Sequence, residues 1–336
     1  MRKVSVCIPA YNGQDYVSKS VESVLQQSFS DWELVICDDA STDETPDICR
    51  SFQDRRIRYL RFDRNGGQAV NWNRCLEAAA GEYIVLLHQD DMLAPTYLGR
   101  AVEVLDRHSS VGLVHCSVQH VDANGNPILL QRTYEADRVQ PGEALWRELV
   151  VRGCVVNPAG VMVRKAAYRV VGPFTTRIHW GIDWHMWIRI AIRFEVAYLT
   201  DTLAFYREHA QSGTGAVAAA ARNGPDELWV IEDTFEHIGA TRPELLAMRG
   251  EAVRQVAHRT WCLAETMCQR GVMPPARAGL RRAVKIWPGM LLQSRLWGLW
   301  AATYFGYDWF RRMQHRRASL SLGVRSRPGR AASRKT

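Results

Sequence analysis

What this chain lacks narrows its class before any motif is read. None of its apolar runs approaches the roughly 20 uninterrupted residues that a membrane-spanning helix requires. The apolar run after Arg2 and Lys3 stops at Pro9, too short for a signal peptide. Cysteine occurs eight times but never as C-x-x-C, and no zinc-type spacing is present. Free, buried thiols in a reducing compartment are therefore expected, and the body of the protein reads as cytoplasmic. No internal repeat is visible. Acidic residues are missing altogether from 311–336, a stretch rich in Arg. A nucleic-acid role for that tail has no support elsewhere in the chain.

What is present is ordinary for a globular protein: 336 residues, 47% hydrophobic and 23% charged, with a net charge of +8. This length suits two domains, or one large domain with an appendage. The most informative stretch is Glu82-Tyr83-Ile84-Val85-Leu86-Leu87-His88-Gln89-Asp90-Asp91. An apolar run of this length reads as a strand buried on both faces, with polar groups at its carboxyl end. In open α/β sheets that edge binds ligands. Adjacent carboxylates repel unless a cation lies between them, so a divalent metal is the natural occupant; the plainer reading is that both Asp residues open a loop.

The first hundred residues alternate strand and helix. Strands are expected at Val4–Pro9, Trp32–Cys37, Ile57–Phe62 and Tyr83–Leu87, and helices after Val17, after Ser41 and over Gln68–Ala80. Ser41 and Glu44 stand at capping-box spacing, and Gly81 stands where a helix-ending glycine belongs. This alternation argues for a parallel sheet flanked by helices. Further on, a helix near Pro95, one or two strands over Val111–Val121, a hairpin at Asn124-Gly125, a helix over Pro141–Val151 and a strand at Val161–Val163 are expected. An amphipathic helix follows His179, and strands follow at Val196–Leu199 and Leu203–Tyr206. Gln211–Ala221 is small and flexible in composition, and everything beyond Pro225 looks helical. Gly213–Ala218 matches a dinucleotide fingerprint only superficially, because no strand precedes it.

Four polar groups close apolar segments: Asp39, Asp90, Asp183 and His209. Around them the chain resembles the family 2 glycosyltransferases, inverting enzymes of the GT-A fold. The resemblance rests on Val4-Ser5-Val6-Cys7-Ile8-Pro9-Ala10-Tyr11-Asn12-Gly13, Ser23–Ser28, Asp38-Asp39-Ala40-Ser41-Thr42-Asp43, and Asn65-Gly66-Gly67 with Asn73. It continues through Ala80–Ile84 and Asp90-Asp91 to Asp183 with Trp187-Ile188-Arg189, covering about Val4 to Gln211. It implies a mixed, mostly parallel sheet flanked by helices, with a C-terminal helical extension. Residues 1–110 would form the nucleotide-sugar-binding half and 111–215 the acceptor and catalytic half. A helical region over 216–310 and a basic tail over 311–336 would follow.

The resemblance also implies roles. Pro9, Ala10, Tyr11, Asn12, Asn73 and Gln89 would line the nucleotide pocket, with Tyr11 stacking on the base. Asp39 would accept from the ring N–H of a uracil or thymine base, or cap the segment at Ser41, or both. Asp90 would hold Mn²⁺ or Mg²⁺. His88 stands where the family has the first Asp of Asp-x-Asp, and would ligate through nitrogen or support from behind. Asp91 reads as a loop or cap residue. Trp72 stands where many relatives carry Arg, so another cation, Arg74 or Arg207, would meet phosphate. Asp183 would be the general base, or else an N-cap before Trp184. Arg207 and His209 would clasp the diphosphate, or form a solvated strand end.

A UDP- or dTDP-sugar donor and a saccharide or lipid-linked acceptor follow from this reading, within cell-surface polysaccharide synthesis. The rival reading is an inactive sugar-nucleotide-binding scaffold, for which His88 is the best support. A pyrophosphorylase would want a Gly-rich basic loop after the first strand, which Pro9-Ala10-Tyr11-Asn12-Gly13 lacks. The aromatic-rich segment from Trp287 to Trp309 and the basic tail suggest peripheral contact with anionic membrane through 286–336 at the inner face. The alternative is a helix packed on protein.

Overall fold

A computed structural model describes residues 2–209, 223–239 and 241–307. The expected flexible segment 211–221, the Gly213–Ala218 fingerprint and the tail 311–336 lie outside the described residues. The chain divides into two compact units, Met1–Ala216 with Asp226–Ala252, and Val217–Pro225 with Val253–Thr336.

The first unit is built on one ten-stranded sheet. Strands β1 (Val4–Ala10), β2 (Trp32–Asp38), β3 (Ile57–Arg61) and β4 (Tyr83–Leu86) are mutually parallel, in the order β3-β2-β1-β4. Every residue of β2 and β4 is buried, as expected of strands covered on both faces. β3, at the edge, is only partly covered. Helices α1 (Val17–Leu25), α2 (Thr45–Ser51) and α3 (Gln68–Ala78) supply the crossovers.

Beyond β4 the sheet becomes mixed. The short β5 (Met92–Leu93) precedes α4 (Tyr97–Arg107), and β6 (Val111–Val121) is a single strand of 11 residues. The hairpin expected at Asn124-Gly125 returns as β7 (Pro127–Gln131), antiparallel to β6. β8 (Arg138–Gln140) and α5 (Gly142–Arg152) lead to β9 (Val161–Arg164), which runs antiparallel between β4 and β6. α6 (Lys165–Val171) and α7 (Ile182–Ala191) follow. The two strands expected after Val196 are one, β10 (Glu195–Arg207), parallel to β6, with its register shifting at 195–196 and again over 199–204.

Two local expectations fail for identifiable reasons. The capping box does not form: α2 begins at Thr45, whose N–H is met by Asp43 Oδ1 at 3.0 Å, while Ser41 Oγ accepts from Asn12 N–H at 3.0 Å. Gly81 is not a left-handed cap. A Cβ there would stand 2.5 Å from the backbone nitrogen of Ser5, so close approach to β1 is what requires glycine.

α8 (Asn223–Gly239) and α9 (Arg249–Gln269) each begin in one unit and end in the other. The helical region expected over 216–310 is therefore not one body, because 226–252 belongs with the sheet. The second unit packs α9, α10 (Met273–Ile286) and α11 (Ser294–Phe305) around Trp261, Ala264, Leu280, Leu296 and Leu299. No described helix is long and apolar enough to cross a membrane. All eight thiols are free; six are buried, while Cys154 and Cys262 are exposed.

Candidate active site

The carboxyl ends of β1, β2 and β4 form one rim, because the three strands are adjacent and parallel. After β4 the chain turns at His88, with Asp91 N–H bonded to His88 carbonyl at 3.2 Å. This turn gathers His88, Asp90 and Asp91 so that one ligand atom from each lies within 4.8 Å of the others. Asp91, read from sequence as a loop or cap residue, is instead fully buried, and its Oδ1 accepts Arg207 N–H at 2.9 Å. Its Oδ2 and the Nε2 of His88 are buried without a hydrogen-bond partner. His88 Nδ1 stands 3.5 Å from Asp91 Oδ2.

Burial and neighbouring charge set the proton affinities of these three groups. Burial, with the charge of Asp90 added, pushes the Asp91 carboxyl up to about 6. Burial acts the same way on Asp90, but the hydrogen bond from His209 and the charge of His88 outweigh it and lower its pKa. Burial would lower the imidazole of His88, yet Asp91, Asp90 and Asp183 raise it on balance. Two carboxylates and an imidazole with orphaned ligand atoms, converging in a desolvated turn, fit a divalent cation.

Asp183 lies in the first turn of α7, after Gly181 in a left-handed conformation. Burial raises its pKa above the usual carboxylate range. It is not an N-cap. α7 is pinned by Trp184 Nε1 to Leu149 carbonyl at 3.0 Å, and by Arg189 to the carbonyls of Val171 and Pro173 at 2.7 Å. Asp183 and His88 line one pocket with Trp72, Leu86, Pro158, Val161, Phe174 and Trp187. The indole of Trp72 stacks on His88, centroids 5.2 Å apart and planes 21° apart, and meets Phe174 edge-on at 5.0 Å. The two positions at which the sequence departs from the family pattern, Trp72 and His88, are thus one stacked pair.

The remaining expected residues are brought to the rim but bond to the protein itself. Gln89 clasps Tyr11 through Tyr11 N–H to Oε1 at 2.8 Å and Nε2 to Tyr11 carbonyl at 3.0 Å. Asn73 clasps Phe174 in the same way at 2.9 and 2.8 Å. Asn12, at φ 47°, accepts from Thr42 N–H at 2.8 Å. Asp39 is 2% exposed, and its carboxylate takes the N–H groups of Gly66 and Gly67 at 2.9 to 3.1 Å and the guanidinium of Arg74. Its oxygens therefore do not open into the pocket that holds Asp183. Pro9 and Ala10 end β1 beside this loop, and Tyr11 is 45% exposed.

Arg207 corrects the sequence reading. It is 1% exposed, and its guanidinium donates to the carbonyls of Asp90, Asp122 and Ala123 at 3.1 to 3.2 Å. It is therefore no solvated strand end, but is bonded to the turn that carries Asp90. His209 bonds Asp90 Oδ2 through Nε2 at 2.9 Å and packs on Tyr16, centroids 4.7 Å apart. Sequence reasoning missed Phe174 and Tyr16, and also Cys154, whose Sγ lies 3.9 Å from Asp183 Oδ2. The joint departure of Trp72 and His88 from one motif pattern was the signal that could have linked them.

Residues 5–171 match the family model described as Glycosyl transferase family 2. The chain is 30% identical over 217 residues to the putative teichuronic acid biosynthesis glycosyltransferase TuaG of Bacillus subtilis (strain 168), covering 55% of this chain and 85% of that one. Its fold is similar to that of S. aureus TarS 1-349, solved in complex with UDP-GlcNAc, with a TM-score of 0.61 and 18% identity over 90% of this chain and 79% of that one. It is also similar to the mannosyltransferase PcManGT from Pyrobaculum calidifontis, solved with GDP-Man and Mn2+, with a TM-score of 0.55 and 19% identity over 90% and 84%.

Proposed function

The chain belongs to glycosyl transferase family 2 and is a glycosyltransferase of the GT-A fold, and on that footing we propose that it transfers a sugar with inversion from a nucleotide-diphosphate donor to a hydroxyl of a saccharide or lipid-linked acceptor. Residues 1–110 bind the nucleotide sugar, and 111–215 supply the acceptor side. The observation that carries this reading is the aromatic-walled pocket that Asp183 shares with His88 of the Asp90–Asp91 cluster.

Asp183 is the general base. Attack by an acceptor hydroxyl on the anomeric carbon forms one C–O bond as the bond to the diphosphate breaks, and the hydroxyl proton passes to the Asp183 carboxylate. Burial raises the proton affinity of that carboxylate, which suits it to the task. Mn²⁺ or Mg²⁺ held by His88, Asp90 and Asp91 would supply Lewis-acid stabilisation of the departing diphosphate, and the imidazole donor favours Mn²⁺. Trp72, Phe174 and Trp187, all buried, wall this pocket and exclude water from it.

The exposed ring of Tyr11 receives the base, next to Pro9, Ala10 and Asn12. Asp39 serves by fixing the Gly66–Gly67 loop, and Gln89 and Asn73 serve by fixing Tyr11 and Phe174. His209 stays beside Asp90 on the diphosphate side. A uridine or thymidine diphosphate sugar is the proposed donor; of the two similar folds, TarS was solved with UDP-GlcNAc and PcManGT with GDP-Man. The similarity to TuaG, named for teichuronic acid biosynthesis, supports a polysaccharide as product; a cytoplasmic enzyme, peripheral at the inner face of the membrane, is the setting proposed for it.

Incubating the protein with candidate nucleotide sugars, Mn²⁺ and saccharide acceptors tests this reading. Released nucleoside diphosphate and a product of inverted anomeric configuration, read by NMR, are expected. A retained configuration sinks the inverting mechanism. Donor binding without release across the panel would favour the scaffold reading.

A further inference from the structure

The second unit carries a surface that glycosyl transfer does not use. Between Met273 and Tyr307 the chain has five cationic side chains, Arg277, Arg281, Arg282, Lys285 and Arg295, and no acidic one. On α10, Arg277, Arg281 and Lys285 recur every four residues, on the side away from the buried Ala276, Leu280 and Ala283. α11 buries Leu296, Leu299, Ala302 and Thr303, and turns Trp297 and Tyr304, seven residues apart, to solvent at 56% and 58% exposure.

The cations and the aromatics form one patch. The Arg277 guanidinium lies 4.6 Å over the Tyr304 ring, and that of Arg281 lies 5.8 Å over Trp300. Trp297 Nε1 donates to the carbonyl of Leu291 at 2.9 Å, which seats the 3-10 turn Pro288–Leu292 against α11. At the end of that turn Leu292 is 91% exposed. A leucine held out in water at the end of a turn seated by an outward indole is a costly arrangement for a surface that faces only solvent.

We propose that this patch docks on an anionic lipid bilayer. Leu292, Trp297 and Tyr304 enter the boundary between headgroups and acyl chains, while Arg277, Arg281 and Lys285 meet lipid phosphates. Charge argues against the other occupants. Two copies face to face would set like charges together with no acid to compensate. The chain's own residues 309–336 add nine cations and no acid, so they reinforce the attraction to anionic lipid and do not neutralise the patch. The docking stands apart from the catalytic reading.

Flotation of the full chain with vesicles tests this directly, without donor or acceptor. Binding is expected to phosphatidylcholine mixed with phosphatidylglycerol, and not to phosphatidylcholine alone, at physiological salt. Arg281→Gln and Lys285→Gln should each lower partitioning about fivefold. Leu292→Asp should lower it by more than about tenfold. All three variants should keep the wild-type Tm and wild-type turnover of a soluble acceptor. Binding to anionic vesicles that ignores all three substitutions would assign it to 309–336 alone and overturn the proposal. So would the absence of vesicle binding together with a concentration-dependent dimer, seen by analytical ultracentrifugation, that Leu292→Asp dissolves. Neither result bears on glycosyl transfer, which is read separately by diphosphate release.

Discussion

Two polar regions meet on the same sheet rim, and they are opposite in kind. At the ends of β1 and β2, within α3 and at Gln89 after β4, the side chains of Asn12, Asp39, Asn73 and Gln89 are bonded to backbone groups of the protein itself. In the turn after β4 two polar atoms, Asp91 Oδ2 and His88 Nε2, are buried without a partner, and at the start of α7 burial raises the pKa of the Asp183 carboxyl. A satisfied polar group lowers the energy of the fold and is finished. A buried, unsatisfied one is tolerated where a ligand or ion completes it. The contrast separates residues that build the site from residues that act in it.

The largest expected effect tests the acting side. Asp183→Asn should reduce kcat by about 10²–10⁴-fold, with Tm and metal-induced thermal shift retained. Turnover within about tenfold of wild type would remove Asp183 as the base. Asp91→Asn comes next. Removing one carboxylate of the cluster should weaken Mn²⁺ binding by about 10–100-fold, read by calorimetry or thermal shift. Undiminished affinity would return Asp91 to a purely structural role.

The pH profile sharpens the same side. A base must be ionised, and the pKa of Asp183 is raised, so kcat should fall as pH drops through that raised value, at about tenfold per pH unit below it. The acid limb should therefore sit above the usual carboxylate range and disappear in Asp183→Asn. A wild-type limb within the ordinary range would mean that burial does not tune this group.

The smallest effect probes the building side. Asn73→Ala strands the N–H and carbonyl of Phe174, at a cost of about 1–3 kcal/mol. In a unit of this size Tm should drop by roughly 2–4 °C per kcal/mol. Donor affinity should change little beyond what loosened Phe174 accounts for. A large loss of nucleotide binding at unchanged Tm would reverse the assignment and make Asn73 a direct contact.

Much of this was legible in one dimension. Apolar runs such as Trp32–Cys37 and Tyr83–Leu87 mark buried strands, and polar residues at their carboxyl ends must share a rim once the strands are parallel and adjacent. The motif order then brought Asp90 and Asp183 forward as candidates. Burial and partnership were not legible. Nothing near Asp91 in sequence says that the β10 backbone will arrive from 116 residues away to donate an N–H to its carboxylate. Arg207 looked free because its carbonyl partners at Asp90, Asp122 and Ala123 lie 117, 85 and 84 residues distant.

The sequence by itself determined the alternation of strand and helix, the rim where chemistry could occur and the residue types available there, because periodicity and strand-end polarity are local properties of a chain. Only the tertiary structure decided that Trp72 lies on His88, that both carboxylate oxygens of Asp39 are bonded while Asp91 keeps one without a partner, and that Asp183 shares the aromatic pocket with His88 of the acidic turn. Those outcomes depend on which distant segments exclude water from one another, and desolvation is a property of the packed assembly that no single stretch carries.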